Sequence, residues 1–432
     1  MTKPNIIYVV SDDQPNGLMD AMPFVRTEVR DKGLNFSNSL APTALCSPAR
    51  SNILTGNLSN KTGVWTNEIG PGGAWPALGD RENDTIATRL KEQGYHTACL
   101  GKYLNKFSMA PDGYIPPGWD DFIIMYAGKS GVGAGAYYEY TLKGTIYPEY
   151  HGSNPEDYST DVIRDKAVEV INNTPADEPL FLYFAPWGPH ANYEAAPRHK
   201  DTWLDDGGIP KSFNEQNMSD KPQWMQDLPL ADLATETEHL REMHEAVMSI
   251  DEAVEAIFTA MGDRMDNCVI VYMSDNGKML GSHRAVKKDL PHKLAAEIPI
   301  FVRWDGVIEP GTKMTRVTPN IDITALVADA AGVTDWDIDG KSPLSTGRLG
   351  IAMQQKDNYA DQQHPGYIGY RSERYLYVCY TNGMGEEFYD YDNDPHELRN
   401  AIDSDDPEIK DQIAWHRQRA RNNTPYPPDF VL

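Results

Sequence analysis

The sequence predicts an α/β fold: a large mixed, mainly parallel sheet sandwiched by helices, followed by a smaller C-terminal subdomain with an antiparallel sheet. Short apolar runs without period-two alternation follow one another along the chain, with helical patterns between them. Such runs are typical of strands that are buried on both faces of a sheet. The chain has 432 residues, of which 40% are hydrophobic, so it can bury a large core.

Five apolar runs are the predicted strands of the large sheet, and they are residues 6–10, 97–100, 180–185, 269–273 and 300–304. Helices are predicted between and after them, over residues 84–93, 161–172 and 233–261. The third is the clearest, because Leu240, Met243 and Val247 begin a series of apolar residues spaced by threes and fours. The polar stretch 201–232 is predicted to be a long surface loop.

Beyond about residue 345 the composition changes. The aromatic-rich runs 375–380 and 387–391 flank a turn-like segment, which predicts an antiparallel hairpin, and a final helix is expected over 407–422. We therefore predict a catalytic domain over residues 1–345 and a C-terminal subdomain over residues 346–432.

The charge of the chain excludes several classes of partner. Lys and Arg total 39 and Asp and Glu total 64, which gives a net charge of −25. A nucleic-acid partner is not expected, because such a protein needs a basic surface. No run approaches the about 18 apolar residues of a membrane span, so no membrane partner is expected either. No leader-like pattern is visible, so the expected compartment is the cytoplasm. Four cysteines do not make a disulfide scaffold.

Four predicted strands run directly into polar residues suited to a functional site. The first strand leads to Asp12 and Asp13, the second to Lys102, the third to Trp187 and His190, and the fourth to Asp275 and Asn276, in the order of the chain. Open α/β sheets bind ligands outside the carboxyl ends of their strands. We expect these side chains to meet at one edge of the sheet.

Three carboxylates in one place repel each other unless a cation compensates them. Asp12, Asp13, Asp275 and the amide oxygen of Asn276 form an all-oxygen set, which is the type of site that Ca²⁺ or Mg²⁺ prefers. The alternative for Asp12 and Asp13 alone is a helix cap or a turn.

The segment from Cys46 to Gly56 carries a second chemical signal. Ser47 is suited to the N-cap, Pro48 to the first helical position and Gly56 to the end of a short helix. Cys46 would then lie at a helix N-terminus with Arg50 one turn away, which predicts a thiolate of low pKa beside an arginine that holds an anion. The alternative is a capped helix with an incidental cysteine.

These residues resemble the motifs of the type I, formylglycine-dependent sulfatases of the alkaline-phosphatase-like superfamily. The matching segments are Asp12-Asp13-Gln14, Cys46-Ser-Pro-Ala-Arg50 with Leu54-Thr-Gly56, the run ending at Gly101-Lys102, Pro189-His190, Ser274-Asp275-Asn276-Gly277 and residues 388–395. The run Lys102-Tyr-Leu-Asn105 is similar to the N-acetylglucosamine-6-sulfatase branch. Leu104 and the pair His292-Lys293 depart from the residues that many members carry.

The resemblance implies that a maturation enzyme oxidises Cys46 to formylglycine, which is then hydrated. The nucleophile that attacks sulfur would then be an oxygen of the hydrated aldehyde and not the thiolate predicted from the helix N-terminus. It implies Ca²⁺, with Mg²⁺ as the alternative, held by Asp12, Asp13, Asp275, Asn276 and the converted Cys46. Arg50 would hold the hydrated aldehyde, Lys102 and Lys288 would bind sulfate oxygens, and His190 would protonate the leaving oxygen or bind sulfate. Lys287 is the alternative to Lys288.

The implied substrate is a small sulfated saccharide such as 6-O-sulfated N-acetylglucosamine, with Asn105, Trp187 and His283 as candidate substrate-binding residues. A phosphodiesterase or phosphonate monoester hydrolase of the same superfamily is the alternative enzyme. An unmodified anion-binding protein is the non-catalytic alternative. The sequence leaves the oligomeric state open.

Overall fold

A ten-stranded mixed sheet with helices on both faces and a separate four-stranded antiparallel sheet form the architecture, which confirms the predicted fold class. The computed structural model describes residues 3–129, 136–203, 208–357, 364–427 and 430–432. The strands are β1 (Asn5–Ser11), β2 (Leu34–Phe36), β3 (Ser39–Leu40), β4 (His96–Gly101), β5 (Asp121–Ala127), β6 (Tyr140–Gly144), β7 (Glu149–His151), β8 (Leu180–Ala185), β9 (Cys268–Ser274), β10 (Ile300–Trp304), β11 (Thr312–Met314), β12 (Thr318–Pro319), β13 (Gly350–Gln355), β14 (Tyr367–Ser372), β15 (Tyr375–Tyr380) and β16 (Glu386–Asp390). The α-helices are α1 (Cys46–Thr55), α2 (Ser59–Thr62), α3 (Ala74–Leu78), α4 (Ile86–Glu92), α5 (Ser159–Asn173), α6 (Gln223–Gln226), α7 (Leu233–Met261), α8 (Lys293–Ala296), α9 (Asn320–Ala331) and α10 (Pro407–Asn422).

The strands of the large sheet lie in the order β11-β2-β10-β9-β1-β8-β4-β5-β6-β7. The central strands from β9 to β5 are parallel to each other. β10 pairs with β9 in the antiparallel sense, and β6 and β7 continue the opposite end antiparallel. The carboxyl ends of β9, β1, β8 and β4 therefore meet at one edge, where the sequence placed its polar residues.

β1 explains why the predicted strands are apolar throughout. Ile7 and Val9 pack into the hydrophobic core that lies under α5 and α7. Ile6 and Tyr8 pack into the core on the opposite face, under α1, α4 and α9. Because both faces of the strand are buried, alternation between apolar and polar residues is lost.

The predicted helices 233–261 and 407–422 coincide with α7 and α10. The helix predicted from residue 84 begins two residues later, because Thr85 is its cap and accepts a hydrogen bond from the Thr88 backbone N–H. Despite the 29 residues of α7, no helix in the described part of the chain has the length and apolar character needed to cross a bilayer.

The C-terminal sheet has the strand order β13-β14-β15-β16, and α10 packs against it. The predicted hairpin corresponds to β15 and β16, whereas β13 and β14 were not predicted, because Gly350–Gln355 and Tyr367–Ser372 contain glycine and polar residues that weaken a strand pattern. The domain boundary at residue 345 stays a prediction.

The segment 201–232 differs from the predicted surface loop. Residues 204–207 lie outside the described residues, and the rest contains α6 and buries several side chains. Glu215 and Lys221 are buried together, and the Lys221 ammonium lies over the ring of Tyr389 in the C-terminal sheet. The buried side chains of this segment, such as Met218 and Met225, pack against the C-terminal sheet.

Candidate active site

The edge formed by β1 and β9 brings the predicted acidic residues together. The two strands pair in parallel with Ser11 opposite Ser274, so the residues that follow them, Asp12 and Asp275, are neighbours. Both carboxylates are fully buried. The proximity of residues more than 260 positions apart in sequence follows from strand register alone.

Asp13 turns its backbone at this edge with a φ of 63°, a left-handed conformation that is uncommon for residues other than glycine. Its backbone N–H donates to Asp275 Oδ1 at 3.1 Å, and its own Oδ1 accepts from Asn276 Nδ2 at 2.8 Å. Residues in such conformations persist where the surrounding structure holds them, often at functional sites. Asp13, Asp275 and Asn276 thus form one hydrogen-bonded unit.

Cys46 is the first residue of α1 and is fully buried beside these carboxylates. Its Sγ lies 3.6 Å from Asp12 Oδ1 and 3.9 Å from Asp13 Oδ1. The predicted cap was wrong: Leu45 occupies the N-cap position, and the Ser47 N–H donates instead to Asn67 Oδ1 at 2.9 Å. The side chain of Asn67, and not that of Ser47, therefore accepts a hydrogen bond from a backbone N–H group at the N-terminus of α1.

Each carboxylate is paired with one cation. Arg50 Nε donates to Asp275 Oδ2 at 2.8 Å. Lys102 Nζ forms an ion pair with Asp12, and Lys288 Nζ forms one with Asp13 while also donating to Cys46 Sγ at 3.0 Å. The cluster of three acidic and three basic side chains surrounds the sulfur atom of Cys46, with compensating charges that make its burial tolerable.

Gly101, the last residue of β4, allows Lys102 to reach this cluster. Its φ is +103°, and a Cβ at this position would lie 2.1 Å from the Ala185 carbonyl oxygen at the end of β8. The Lys102 backbone N–H donates to the same oxygen at 2.8 Å. Only glycine permits this close approach of the two strand ends.

The pKa values at the site follow from burial and these pairings. Burial acts to raise the pKa of Asp12 and of Asp13, but the basic side chains around them, led by Lys102 at Asp12 and Lys288 at Asp13, together outweigh it and hold both pKa values below the ordinary range. Burial and the nearby Asp12 raise the pKa of Asp275 to about 6, so this carboxylate is still ionised at neutral pH. The three acids therefore present negative oxygens at pH 7.

The thiol of Cys46 contradicts the predicted thiolate. Burial raises its pKa to about 12, although Lys102 and Lys288 act to lower it. The desolvation of a fully enclosed sulfur outweighs the helix N-terminus on which the prediction relied. As a cysteine, this side chain is protonated at neutral pH and is a poor nucleophile.

His190 lies at the opening of the cluster. Its Nδ1 is 2.9 Å from the Ala191 carbonyl oxygen, and its Nε2 is 3.8 Å from Asp13 Oδ2. Burial lowers its pKa to about 4 against the opposing effect of Asp13. Because a carbonyl oxygen only accepts, Nδ1 carries a proton, and Nε2 is the nitrogen that can exchange a proton with the site.

The family profile described as "Sulfatase" matches residues 4–333, and a second described as "N-sulphoglucosamine sulphohydrolase, C-terminal" matches residues 281–422. The chain belongs to the sulfatase family. It is a sulfuric ester hydrolase, and the recognition drawn from its sequence motifs is confirmed.

Two relatives show the extent of the similarity. The chain is 26% identical to an N-acetylglucosamine-6-sulfatase of Capra hircus over 96% of this chain and 82% of the relative. It is 30% identical to a Caenorhabditis elegans homolog of extracellular sulfatase Sulf-1 over 76% of this chain, but it spans only 47% of that relative. Among solved structures, a protein in complex with its substrate D-glucosamine-2-N,6-O-disulfate aligns with a TM-score of 0.78 at 20% identity, covering 98% of this chain and 99% of that one.

The sulfatase site fits a hard divalent cation. Ligand atoms of Asp12, Asp13, Cys46 and His190 all lie within 4.8 Å of one another. Asn276 Oδ1 is buried beside them and accepts no hydrogen bond from the described residues. Asp275 lies next to this group, with its oxygens accepting from Asp13, Asn276 and Arg50. Carboxylate oxygens together with an unsatisfied amide oxygen suit Ca²⁺ or Mg²⁺.

Of the two lysines considered, Lys288 reaches the cluster, whereas Lys287 is exposed at the wall of the adjoining cavity. Trp187 is buried against two side chains of the site: the centre of its ring lies 4.3 Å from that of the His190 ring and 4.9 Å from Lys102 Nζ. Asn105 exchanges hydrogen bonds with Ser47 at the start of α1. Trp187 therefore packs against His190 and Lys102, and Asn105 holds the first turn of α1.

His283 does not fit the predicted contact with substrate. The residue is fully buried, its Nδ1 lies 2.6 Å from Glu215 Oε2, and its Nε2 lies 3.8 Å from Glu397 Oε2. Its ring therefore lies between Glu215, which precedes α7, and Glu397 of the C-terminal subdomain. The five-residue offset from His283 predicted the lysine that lies in the cluster, but it gave no information on the surroundings of the histidine.

A cavity of about 570 Å³ opens from the cluster, a size within the range of small-molecule sites. Several residues that line it were not predicted from the sequence, namely Asn67, Tyr193, Glu236, His239, Glu242 and Lys278. The spacing of Glu236, His239 and Glu242 by threes on α7 was an available signal, because such residues share one helix face.

Proposed function

We propose that this sulfatase hydrolyses a sulfate ester of a small sugar, such as 6-O-sulfated N-acetylglucosamine. The similarity to an N-acetylglucosamine-6-sulfatase over nearly the whole chain supports this substrate. The solved structure with D-glucosamine-2-N,6-O-disulfate, which shares the fold, is consistent with it. The cavity of about 570 Å³ has room for a monosaccharide.

One observation carries the proposed mechanism: Cys46 Sγ lies 3.0 Å from Lys288 Nζ and within 4 Å of the carboxylates of Asp12 and Asp13. This position suits a formylglycine made from Cys46 by a maturation enzyme. A cation held by Asp12, Asp13, Asp275 and Asn276, with Ca²⁺ preferred to Mg²⁺, would supply Lewis acidity to a hydroxyl of the hydrated aldehyde.

In this mechanism, one hydroxyl of the hydrated side chain at position 46 forms a bond to sulfur while the bond from sulfur to the sugar oxygen breaks. The second hydroxyl then gives its proton to Nε2 of His190, and the carbonyl reforms as the bond between the side-chain carbon and the ester oxygen breaks, which expels sulfate. Lys102 and Lys288 stabilise the sulfate oxygens as negative charge develops on them. Arg50, held by Asp275 and the Lys102 carbonyl oxygen, keeps this arrangement rigid.

His190 acts on the leaving group. Its Nδ1 proton is held by the Ala191 carbonyl oxygen, and burial lowers the pKa of His190, so Nε2 is unprotonated at neutral pH. Nε2 takes the proton of the attacking hydroxyl and passes it to the departing sugar oxygen. The ring packs on Trp187, which fixes its orientation.

The test compares purified enzyme from the native host on N-acetylglucosamine 6-sulfate, on an aryl sulfate and on a matched aryl phosphodiester. We expect turnover of both sulfates, and faster turnover of the aryl sulfate than of the phosphodiester. Faster phosphodiester turnover would establish the alternative enzyme. Mass spectrometry of the peptide containing position 46 provides the second test, and an unmodified thiol in active enzyme would overturn the mechanism.

The compartment stays a prediction of the sequence, which favours the cytoplasm, while one relative is named as a homolog of an extracellular sulfatase. Cell fractionation of the native host with an antibody to the chain measures this. Recovery with secreted proteins would contradict the cytoplasmic expectation.

A further inference from the structure

The N-terminal part of α7 forms one wall of the cavity that opens from the sulfatase site. Glu236, His239 and Glu242 line the cavity from this helix. The basic residues Lys278 and Lys288 line the same cavity, together with His190. The lining therefore combines basic residues, of which Lys288 belongs to the cluster, with acidic residues from α7.

Glu236 is buried in this wall without a complete set of partners. The residue is only 5% exposed, and its Oε2 accepts no hydrogen bond from the described residues. Its Oε1 lies 3.5 Å from His239 Nδ1, and that nitrogen also makes no hydrogen bond within the described chain. A buried polar group left unsatisfied costs about 1–3 kcal/mol. The pair is thus ready to bind polar groups of a ligand.

The sign of the charge identifies which part of a substrate this wall fits. A carboxylate repels the sulfate group, so Glu236 is unsuited to bind the anion itself. A carboxylate accepts hydrogen bonds strongly from hydroxyl groups, and a histidine can donate or accept beside it. The alcohol part of a sugar sulfate carries several hydroxyl groups, whereas an aryl leaving group carries none.

We propose that Glu236, together with His239, binds hydroxyl groups of the sugar leaving group and so selects sugar sulfates over other sulfate esters. This inference rests on the proposed function, since it assigns a further part of the same cavity. The aromatic ring of Tyr193 supports the wall, because it packs 4.7 Å from the His239 ring and 5.1 Å from Lys278 Nζ.

The experiment uses Glu236→Gln and His239→Asn, with Glu238→Gln as the matched control. Glu238 lies on the same helix but is exposed and paired with Arg241. For each protein, kcat and KM are measured on N-acetylglucosamine 6-sulfate and on 4-nitrophenyl sulfate. We expect Glu236→Gln to lower kcat/KM for the sugar sulfate, relative to the aryl sulfate, by about 10- to 100-fold, the effect of losing a hydrogen bond to a charged group. Glu238→Gln should leave this ratio unchanged.

A second measurement does not depend on turnover. Binding of N-acetylglucosamine, which lacks sulfate, is measured by calorimetry for the wild type and Glu236→Gln, and we expect a loss of about 10-fold or more in the variant. Equal loss of kcat/KM on both sulfates, or unchanged sugar binding, would overturn the assignment of Glu236. Failure of the wild type to hydrolyse either sulfate, with sugar binding still dependent on Glu236, would overturn the proposed function alone.

Discussion

Arg50 shows how a single residue determines the electrostatics of the site. The guanidinium group is fully buried and contacts Asp275, the Lys102 carbonyl oxygen and, at 3.9 Å, Asp12. Buried charges are tolerated only when paired, and the loss of one partner is far more costly than the pair is stabilising. We therefore expect Arg50 and Asp275 to contribute to stability as well as to the proposed mechanism.

We predict that Asp275→Ala loses bound metal and turnover and also destabilises the protein by about 3–5 kcal/mol, because Arg50 keeps a buried charge without its partner. Metal content, turnover and thermal unfolding measure the three effects. Asp305→Ala is the control, since Asp305 forms a partly exposed pair with Arg303 and should change none of them appreciably. A fully active, metal-replete Asp275→Ala protein would remove Asp275 from the site.

At the scale of elements, the strand ends at β4 and β8 depend on one glycine. We predict that Gly101→Ala is more destabilising than Gly94→Ala, although both glycines have positive φ. A Cβ at residue 94 meets nothing within 4 Å, so only the backbone conformation is strained, at a cost of about 1–2 kcal/mol. At residue 101 the added Cβ also clashes with the Ala185 carbonyl oxygen. We expect the strand end to move away from this clash and to displace Lys102.

Urea unfolding of the two glycine variants measures this difference, and turnover of N-acetylglucosamine 6-sulfate measures the displacement of Lys102. We expect activity to fall in Gly101→Ala only. Equal stability and equal activity of the two variants would show that the approach of β4 to β8 is not required.

The segment between β9 and β10 links the catalytic cluster to the C-terminal subdomain. It supplies Lys288 to the cluster and places His283 and His292 against acidic residues of that subdomain, with His292 Nε2 3.2 Å from Glu387 Oε2. Burial acts to lower the pKa of His283, but the hydrogen bond to Glu215 and the charge of Glu397 raise it to about 9. The segment therefore carries a buried positive charge at neutral pH.

This charge predicts a pH dependence of stability. A histidine with a folded-state pKa of about 9, above its ordinary value of 6.5, stabilises the protein fully below pH 6.5, and this stabilisation is lost as the pH rises through 9. The difference between these values corresponds to roughly 3 kcal/mol. We expect the free energy of unfolding to decline over this interval, and the decline to be smaller in His283→Gln.

Urea unfolding at pH 6, 7, 8 and 9 checks the expectation, with His199→Gln as the control because His199 pairs with Glu252 away from this segment. An identical pH dependence in the wild type and in His283→Gln would show that His283 is not the group responsible.

At the scale of the whole molecule, the net charge of −25 contrasts with a site that holds Arg50, Lys102 and Lys288. The net charge disfavours a nucleic-acid partner, whereas the proposed anion site holds three cations that offset its three carboxylates before any metal binds. A long polyanion would meet acidic surface beyond the cavity, and a small sulfated sugar would not.

We predict that kcat/KM for a long sulfated polysaccharide, relative to that for a sulfated monosaccharide, rises as salt is added. The Debye length falls from about 10 Å at 0.1 M to about 3 Å at 1 M, which screens the repulsion from distant surface charges. Initial rates on both substrates across this range of NaCl provide the measurement. A ratio that falls with salt would indicate a basic track for the polymer.

Five of the ten strands described in the large sheet could be predicted, because a strand buried on both faces has a continuous apolar sequence, as in β1, β8 and β9. The strands β13 and β14 and the helix α9 could not, because the strands lack an apolar pattern and the helix, with Ile321, Ile323 and Leu326 buried, is apolar on more than one face. Their structure depends on partners elsewhere in the chain.

By itself, the sequence determined the family, the fold class and the residues that would meet at the edge of the sheet, since the carboxyl ends of parallel strands converge whatever the loops do. Only the tertiary structure decided between Lys287 and Lys288, enclosed His283 among carboxylates, raised the pKa of Cys46 and brought Glu236 to the cavity. The physical reason is that burial and charge compensation arise from residues far apart in sequence, and no local pattern records them.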